Sequence, residues 1–175
     1  MLNNLEKYIH PWHSCLGLKL IKGKTRYRDN QDHSRWIYHD SSNKLYYKIW
    51  NDTYIRRDNI IHGMNSGFYD EVTCPGLEGI IMFDGYCRGY IMHEMENFKS
   101  SLKDFYEIVK QKTLSSDHFY HDYSANHVLN FNGLPCLIDL DGIHHMSELD
   151  EFIDRKWHSS FVDDNYKKFV CDIVR

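Results

Sequence analysis

Paired cysteines, a secretory leader, a membrane-length apolar run and a basic face are all missing from this chain, and each absence removes a class of function. The five cysteines, Cys15, Cys74, Cys87, Cys136 and Cys171, are odd in number and form no CxxC pair. They sit mostly in apolar segments, the pattern of buried thiols in a reducing cytosol, so no structural disulfide and a cytoplasmic location are expected. The opening MLNNLEKYIHPWHS lacks the basic and then apolar layout of a signal peptide, and no apolar run approaches a membrane span. The formal charge is −4 with dispersed basic residues, so the electrostatic footprint of a nucleic-acid binder is absent. Internal repeats and low-complexity segments are absent too. What remains is a chain of 175 residues with 42% hydrophobic content, enough for a core in one domain or in two small lobes sharing a cleft.

The most informative stretch is HDYSANHVLNFNGLPCLIDLDG, residues 121–142. Residues 128–131 and 137–138 read as short strands, and Asn132-Gly133 is the dipeptide most favoured for a tight hairpin. Asp122 precedes this hairpin and Asp139 ends it. The two carboxylates are expected to converge at one rim of a sheet beside Asn126 and His127, a site suited to a divalent cation and a hydroxyl.

Upstream, strands are expected at residues 17–22, 35–39 and 45–50, with a turn at Asp40-Ser41-Ser42-Asn43. The intervening GKTRYRDNQDHS reads as a polar, basic loop. Asn51 or Asp52 can cap a helix carrying Ile60, Ile61, Met64 and Phe68 and ending near Gly67. A second hairpin joins residues 79–83 to 86–92 through Asp84-Gly85. From Asn97 the period becomes helical through Phe98, Leu102, Phe105, Ile108 and Val109, with Ser101 and Asp104 spaced as a capping box. After Gly142 two more helical patterns follow. The first carries Leu149, Phe152, Ile153 and Trp157 with Ser147 as cap, and the second carries Tyr166, Phe169, Val170, Ile173 and Val174.

Taken in order, these landmarks resemble the protein-kinase-like fold. Lys48 in Leu-Tyr-Tyr-Lys-Ile-Trp resembles the strand lysine of the V-A-I-K segment, which reaches nucleotide phosphates. Tyr90-Ile91-Met92-His93-Glu94-Met95 resembles the strand leading into the interlobe hinge. The resemblance implies that backbone groups of Glu94 and Met95 meet an adenine edge, with His93 in the gatekeeper place. Tyr120-His121-Asp122 resembles H-R-D, which makes Asp122 the residue that orients or deprotonates the attacking hydroxyl. Leu137-Ile138-Asp139-Leu140-Asp141 resembles the segment with the D-F-G aspartate, which makes Asp139 the magnesium ligand. The two aspartates stand seventeen positions apart, close to the spacing of that family.

The departures from the family pattern carry information. Five residues after Asp122, where protein kinases keep a metal-binding Asn, stands His127, with Asn126 beside it. His at that place, with the Ile138-Asp139-Leu140 form of the metal motif, is similar to the lipopolysaccharide core kinases, which phosphorylate heptose or a related sugar. The G-x-G-x-x-G loop is missing, so the phosphate-covering role passes to the basic loop with Lys24, Arg26 and Arg28. Glu71 is the implied partner of Lys48, with Asp58 as the other acidic candidate. About thirty residues follow Gly142, too few for the lower helices that bind peptide substrates.

Blander readings compete at each position. A strand lysine ordinarily faces solvent, and Asp122 and Asn126 are residue types that commonly cap turns. Asp139 is harder to explain structurally, because a carboxylate ending an apolar strand costs free energy unless donors or a cation meet it. Twelve histidines also invite a transition-metal reading at His118, His121, Asp122, His144 and His145. His121-Asp122 resembles the doublet of HD-type phosphohydrolases, but those domains are helical, against the strand-turn-strand signal.

The expected fold is α+β, a two-lobed protein-kinase-like arrangement. Residues 1–93 form an antiparallel sheet with one helix, and residues 94–175 a reduced helical lobe with the catalytic hairpin. The expected activity is transfer of a phosphoryl group from ATP, with Mg, to a small hydroxylated acceptor such as a sugar. The alternative is a catalytically silent kinase-like nucleotide-binding or regulatory module.

Overall fold

The computed structural model describes residues 19–24, 27–28, 31–32, 35–50, 58–83, 85–98, 102–121, 123–150, 153 and 163–173, with the backbone alone before residue 35 and at residue 104. The described elements are α+β with antiparallel sheets. They fall into two compact units, Met1–Asp58 with Leu77–Glu94, and Asn59–Gly76 with Met95–Arg175. The division near residue 94 is joined by a second one. The segment from Asn59 to Gly76, grouped with residues 1–93 in the sequence reading, clusters with the second unit.

The first unit is built on strands β1 (Lys19–Lys24), β2 (Tyr27–Arg28), β3 (Gln31–Asp32), β4 (Arg35–Asp40) and β5 (Leu45–Trp50). Its later strands, which follow the helix of the second unit, are β6 (Leu77–Phe83) and β7 (Tyr86–His93). Five of them form one sheet in the order β1-β4-β5-β7-β6, antiparallel throughout. The stretch expected as a plain polar loop instead continues β1 to Lys24 and adds the small β2-β3 ladder. Pairing of Gly23 and Lys24 with Trp36 and Arg35 satisfies backbone groups whatever the side chains, which hydropathy does not register.

Alternation on β4 buries Trp36 and Tyr38, which pack with Ile49, Tyr47 and Ile81. Across the sheet Trp36 faces Ile49, Ile49 faces Gly89, and Gly89 faces Ile81. No larger residue fits at the third place. A Cβ on Gly89 would lie 2.0 Å from the Lys48 carbonyl oxygen, and its φ is +154°. The β4-β5 turn is held by Asp40, whose carboxylate accepts from the Ser42 and Asn43 amides at 3.0 and 3.2 Å.

The second unit comprises α1 (Asn59–Asn65), β8 (Glu96–Asn97), α2 (Lys103–Ser116), β9 (His118–Tyr120), β10 (Val128–Phe131), β11 (Leu134–Leu137), β12 (Ile143–His145) and α3 (Asp164–Ile173). The helical pattern expected from Asn97 begins only at Lys103, because Glu96 and Asn97 pair with Asn130 and Leu129 as a strand. Leu102 is the N-cap and makes no side-chain cap bond, and the expected capping box rests on Ser101 and on the Asp104 side chain. Ser101 lies outside the described residues.

Helix α1 stops before a left-handed Gly67, φ +76°, whose amide donates to the Met64 carbonyl. The next residues, Phe68 and Tyr69, are buried. In the tail, α3 buries Tyr166 and Val170. The Tyr166 hydroxyl meets Thr113 Oγ1 at 2.9 Å and accepts from the Tyr120 amide at 3.1 Å. Most of the pattern around Leu149 to Trp157 lies outside the described residues. Ser147 is not its cap: it sits in a 3-10 turn, Met146–Glu148, whose N-cap His145 accepts from the Ser147 amide. Cys74, Cys87 and Cys136 are buried free thiols. Among the described residues no helix is long and apolar enough to cross a membrane.

Candidate functional site

The hairpin that frames the site forms as the sequence requires. Asn132 and Gly133 both take positive φ, +51° and +88°, the conformation of the tight turn that Asn-Gly favours. The Gly133 amide donates to Asn130 Oδ1 at 2.8 Å. Val128 pairs with Leu137 and Phe131 with Leu134, so β11 starts earlier than its apolar pair Leu137-Ile138 suggests. At its end the Leu137 amide donates to Thr73 O, and just beyond it the Ile138 amide donates to His127 O.

Asp139 follows in the left-handed region, at φ +61° and ψ +47°. Aspartate is among the few non-glycine types that visit this region, and here its surroundings hold it. They do so through six consecutive carbonyls. The oxygen of Ile138 accepts from the Tyr120 hydroxyl, that of Asp139 from the Gly142 amide at 2.9 Å, and that of Leu140 from the Tyr69 hydroxyl at 2.9 Å. Those of Asp141 and Ile143 accept from Asn59 Nδ2 at 3.3 and 2.7 Å. The Gly142 oxygen accepts from the His121 backbone amide at 3.0 Å and lies 2.6 Å from His121 Nδ1. Asn59, Tyr69 and Tyr120 were not legible as site residues, since an Asn opening a helix and buried tyrosines have commoner explanations.

The structure brings His127 to Asp139. Its Nε2 lies 3.8 Å from Asp139 Oδ2, with the side chains 24% and 31% exposed. The 3-10 turn Ala125–His127 aims the ring, and His127 Nδ1 lies 3.4 Å from Ser124 Oγ. Asn126 on the same turn is exposed. Asp122 lies outside the described residues, so its convergence with Asp139 is not described. Among the described residues no three His, Cys, Asp or Glu side chains group to hold a metal ion.

The histidines considered for a transition metal do something else. His144 Nε2 is 3.0 Å from His121 Nδ1, and His144 Nδ1 is 3.0 Å from Glu148 Oε2. His118 and His145 meet edge to face, and His145 Nε2 reaches Asp117 at 3.3 Å. With Asn59 and His62 of α1, the residues His118, His144, His145 and Glu148 line a cavity of about 310 Å³.

In the first unit Lys48 is buried, at 6% exposure, which removes the solvent-facing reading. Its Nζ stands 5.5 Å from the centroid of the Tyr90 ring, its cross-strand neighbour. The Glu94 amide donates to Lys44 O at 2.7 Å, so that N–H is engaged within the sheet, and the Glu94 carboxylate lies 3.6 Å from His39 Nε2. His93 Nε2 is 2.8 Å from Glu78. In the second unit Met95 packs at Gly76. Glu71 is exposed in a turn after α1 rather than on a helix. Its neighbour Asp70 instead carries an ion pair, with Lys112. Of the basic loop, Lys24 is described by its backbone alone and Arg26 lies outside the described residues.

No model of a known protein family matches the chain, and no curated protein matches it in sequence.

Proposed function

We propose that the chain is an ATP-dependent phosphotransferase of reduced, two-lobed protein-kinase-like fold, acting in the cytoplasm on a small hydroxylated acceptor such as a sugar. The observation that carries this reading is the fixing of Asp139. Its left-handed backbone lies within a run of six engaged carbonyls, its carboxylate is a third exposed, and it follows directly on a hairpin. Backbone strain and a supporting hydrogen-bond shell are features that functional carboxylates share. Lys48 supports the reading separately. It is a buried lysine on the third strand of the five-stranded sheet, as the phosphate-binding lysine of protein kinases is on its third strand.

The donor set suits magnesium in part. The Asp139 carboxylate suits a hard cation, which usually takes one or two carboxylates and completes its shell with waters and phosphate oxygens. Imidazole suits softer metals, so His127 is the weaker member and the amide oxygen of Asn126 the better second donor. Bound magnesium would neutralise charge on the transferring group. Lys48 would hold nucleotide phosphates, and Asp122 would orient the acceptor hydroxyl. Their contribution is positioning and charge, since phosphoryl transfer asks little covalent chemistry of the protein.

The test is ADP formation and magnesium-dependent ATP binding by calorimetry. Both should fall in Asp139→Ala, and turnover should fall in Asp122→Ala with nucleotide binding retained. ADP formation that persists unchanged in both variants overturns the proposal. A silent nucleotide-binding or regulatory module is favoured by one observation, the exposed Glu71 off any helix, because active protein kinases pair the strand lysine with a helix glutamate. Binding without turnover is its signature.

A further inference from the structure

We propose that Glu148 and His144 are positioning residues that fix the imidazole of His121, and through it lock the approach to Asp122 onto the loop of Asp139. The inference rests on the roles given above to those two aspartates, but the geometry that carries it is separate. A carbonyl oxygen only accepts, so the 2.6 Å contact between His121 Nδ1 and Gly142 O requires a hydrogen on Nδ1. That hydrogen also faces His144 Nε2 at 3.0 Å, which must then offer a lone pair. A neutral His144 with bare Nε2 carries its hydrogen on Nδ1, where the Glu148 carboxylate accepts it at 3.0 Å. One consistent assignment therefore runs the length of the chain: Glu148 accepts from His144, and His144 accepts from His121.

The opposite tautomer of His144 would set two N–H groups against each other at the His121 contact and a lone pair against the carboxylate. Glu148 thus selects the tautomer at one remove, as carboxylates behind functional histidines do. His144 is 6% exposed and Glu148 55%, so the dyad starts at the surface and ends at a buried ring. His144 also stacks on Phe119, with centroids 5.5 Å apart and planes 29° apart, which holds the imidazole plane while the carboxylate fixes its protons. The consequence is a two-point clamp. His121 grips the Gly142 oxygen with its amide and its ring, and it does so one residue before Asp122 and three residues after Asp139.

Long-range proton–nitrogen NMR of the imidazoles reads the tautomers directly. Wild type should show His121 and His144 both protonated on Nδ1. Glu148→Ala, a change at an exposed position, should turn His144 into a tautomer mixture and lower turnover of ATP to ADP about tenfold with KM for ATP unchanged. Glu148→Gln, whose carbonyl still accepts, should restore the tautomer and most of the turnover. His144→Phe should keep the ring stacking and leave His121 protonated on Nδ1, held by the Gly142 oxygen alone, with turnover lowered as in Glu148→Ala. A wild-type His144 protonated on Nε2, or a Glu148→Ala protein with unchanged tautomers and turnover, overturns the clamp. If wild type forms no ADP, the phosphotransferase reading falls, and the tautomer spectra still decide the clamp by themselves.

Discussion

His121 and Gly142 are joined twice, by the His121 amide at 3.0 Å and by the His121 ring at 2.6 Å, both onto one carbonyl oxygen. The pair closes the β9-β12 ladder just beyond its Tyr120-Ile143 rung. His121→Phe keeps the ring volume and the backbone bond, so the Gly142 oxygen is not orphaned, and removes the side-chain donor that faces both that oxygen and His144 Nε2. The expected loss is about 1 kcal/mol, read as a lower urea midpoint. Faster amide exchange at Gly142 should accompany it.

Asp70 and Lys112 tie the turn after α1 to α2, and Lys112 Nζ also donates to Gly67 O at 3.1 Å. Burial raises the pKa of the Asp70 carboxyl, but donation from Lys112 and from the Thr73 and Val72 amides outweighs it, and the net shift is downward. A carboxylate whose folded pKa is depressed adds stability above its unfolded pKa, about 3.9, and loses it as pH falls through the folded value. Asp70→Asn should therefore be less stable than wild type by about 1 kcal/mol at neutral pH, given a pair only partly shielded from water. The gap should close below about pH 4, which denaturation at a series of pH values measures. A gap that is constant with pH would assign the effect to the amide rather than to the charge.

Local pattern announced the hairpins and the terminal helix well, because each is decided by neighbouring residues. Asn132-Gly133 supplies its own left-handed turn, alternation on β4 marks a strand, and Tyr166 with Val170 marks one helix face. Pairing with distant strands was less visible. Glu96 and Asn97 are strand only because β10 lies beside them, and Lys24 only because Arg35 does. At the candidate site Asp139 stood out, since a carboxylate closing an apolar strand demands an explanation. The groups that hold it did not. Asn59 is 82 positions from the Asp141 carbonyl it serves and Tyr69 is 71 from that of Leu140, and no local spacing encodes such contacts. The sequence offers His144 as a possible metal ligand, whereas its two nitrogens face Glu148 and His121.

Among the described residues, Gly89 makes the tightest glycine approach to backbone. Its φ of +154° is one that L side chains rarely adopt, and an added Cβ would meet the Lys48 carbonyl oxygen at 2.0 Å and the Ile49 Cα at 3.0 Å. Those are backbone atoms of the last two rungs of the β5-β7 ladder, which cannot rotate aside. Gly89→Ala should cost about 3 kcal/mol from strain and overpacking together, and a soluble protein should show a sharply lowered unfolding temperature. Gly79→Ala, with nothing within 4 Å of the added atom, is the control and should unfold close to wild type.

Asp139 separates stability from function in one substitution. Its left-handed backbone costs a non-glycine residue about 1 kcal/mol, so Asp139→Gly relieves strain that the wild-type chain carries. Part of the gain is offset, because glycine gives the unfolded chain about 0.5 kcal/mol more conformational entropy to lose. Stability should hold steady or rise slightly, while magnesium-dependent ATP binding falls at least tenfold. Asp139→Val removes the same carboxylate and puts a β-branched residue at φ +61°, which should cost about 2 kcal/mol. Urea unfolding of both variants, beside calorimetry with Mg-ATP, distinguishes the cases. If Asp139→Gly unfolds as easily as Asp139→Val, the carboxylate is structural, held through His127 at 3.8 Å, and the strain at this residue serves the fold rather than a ligand.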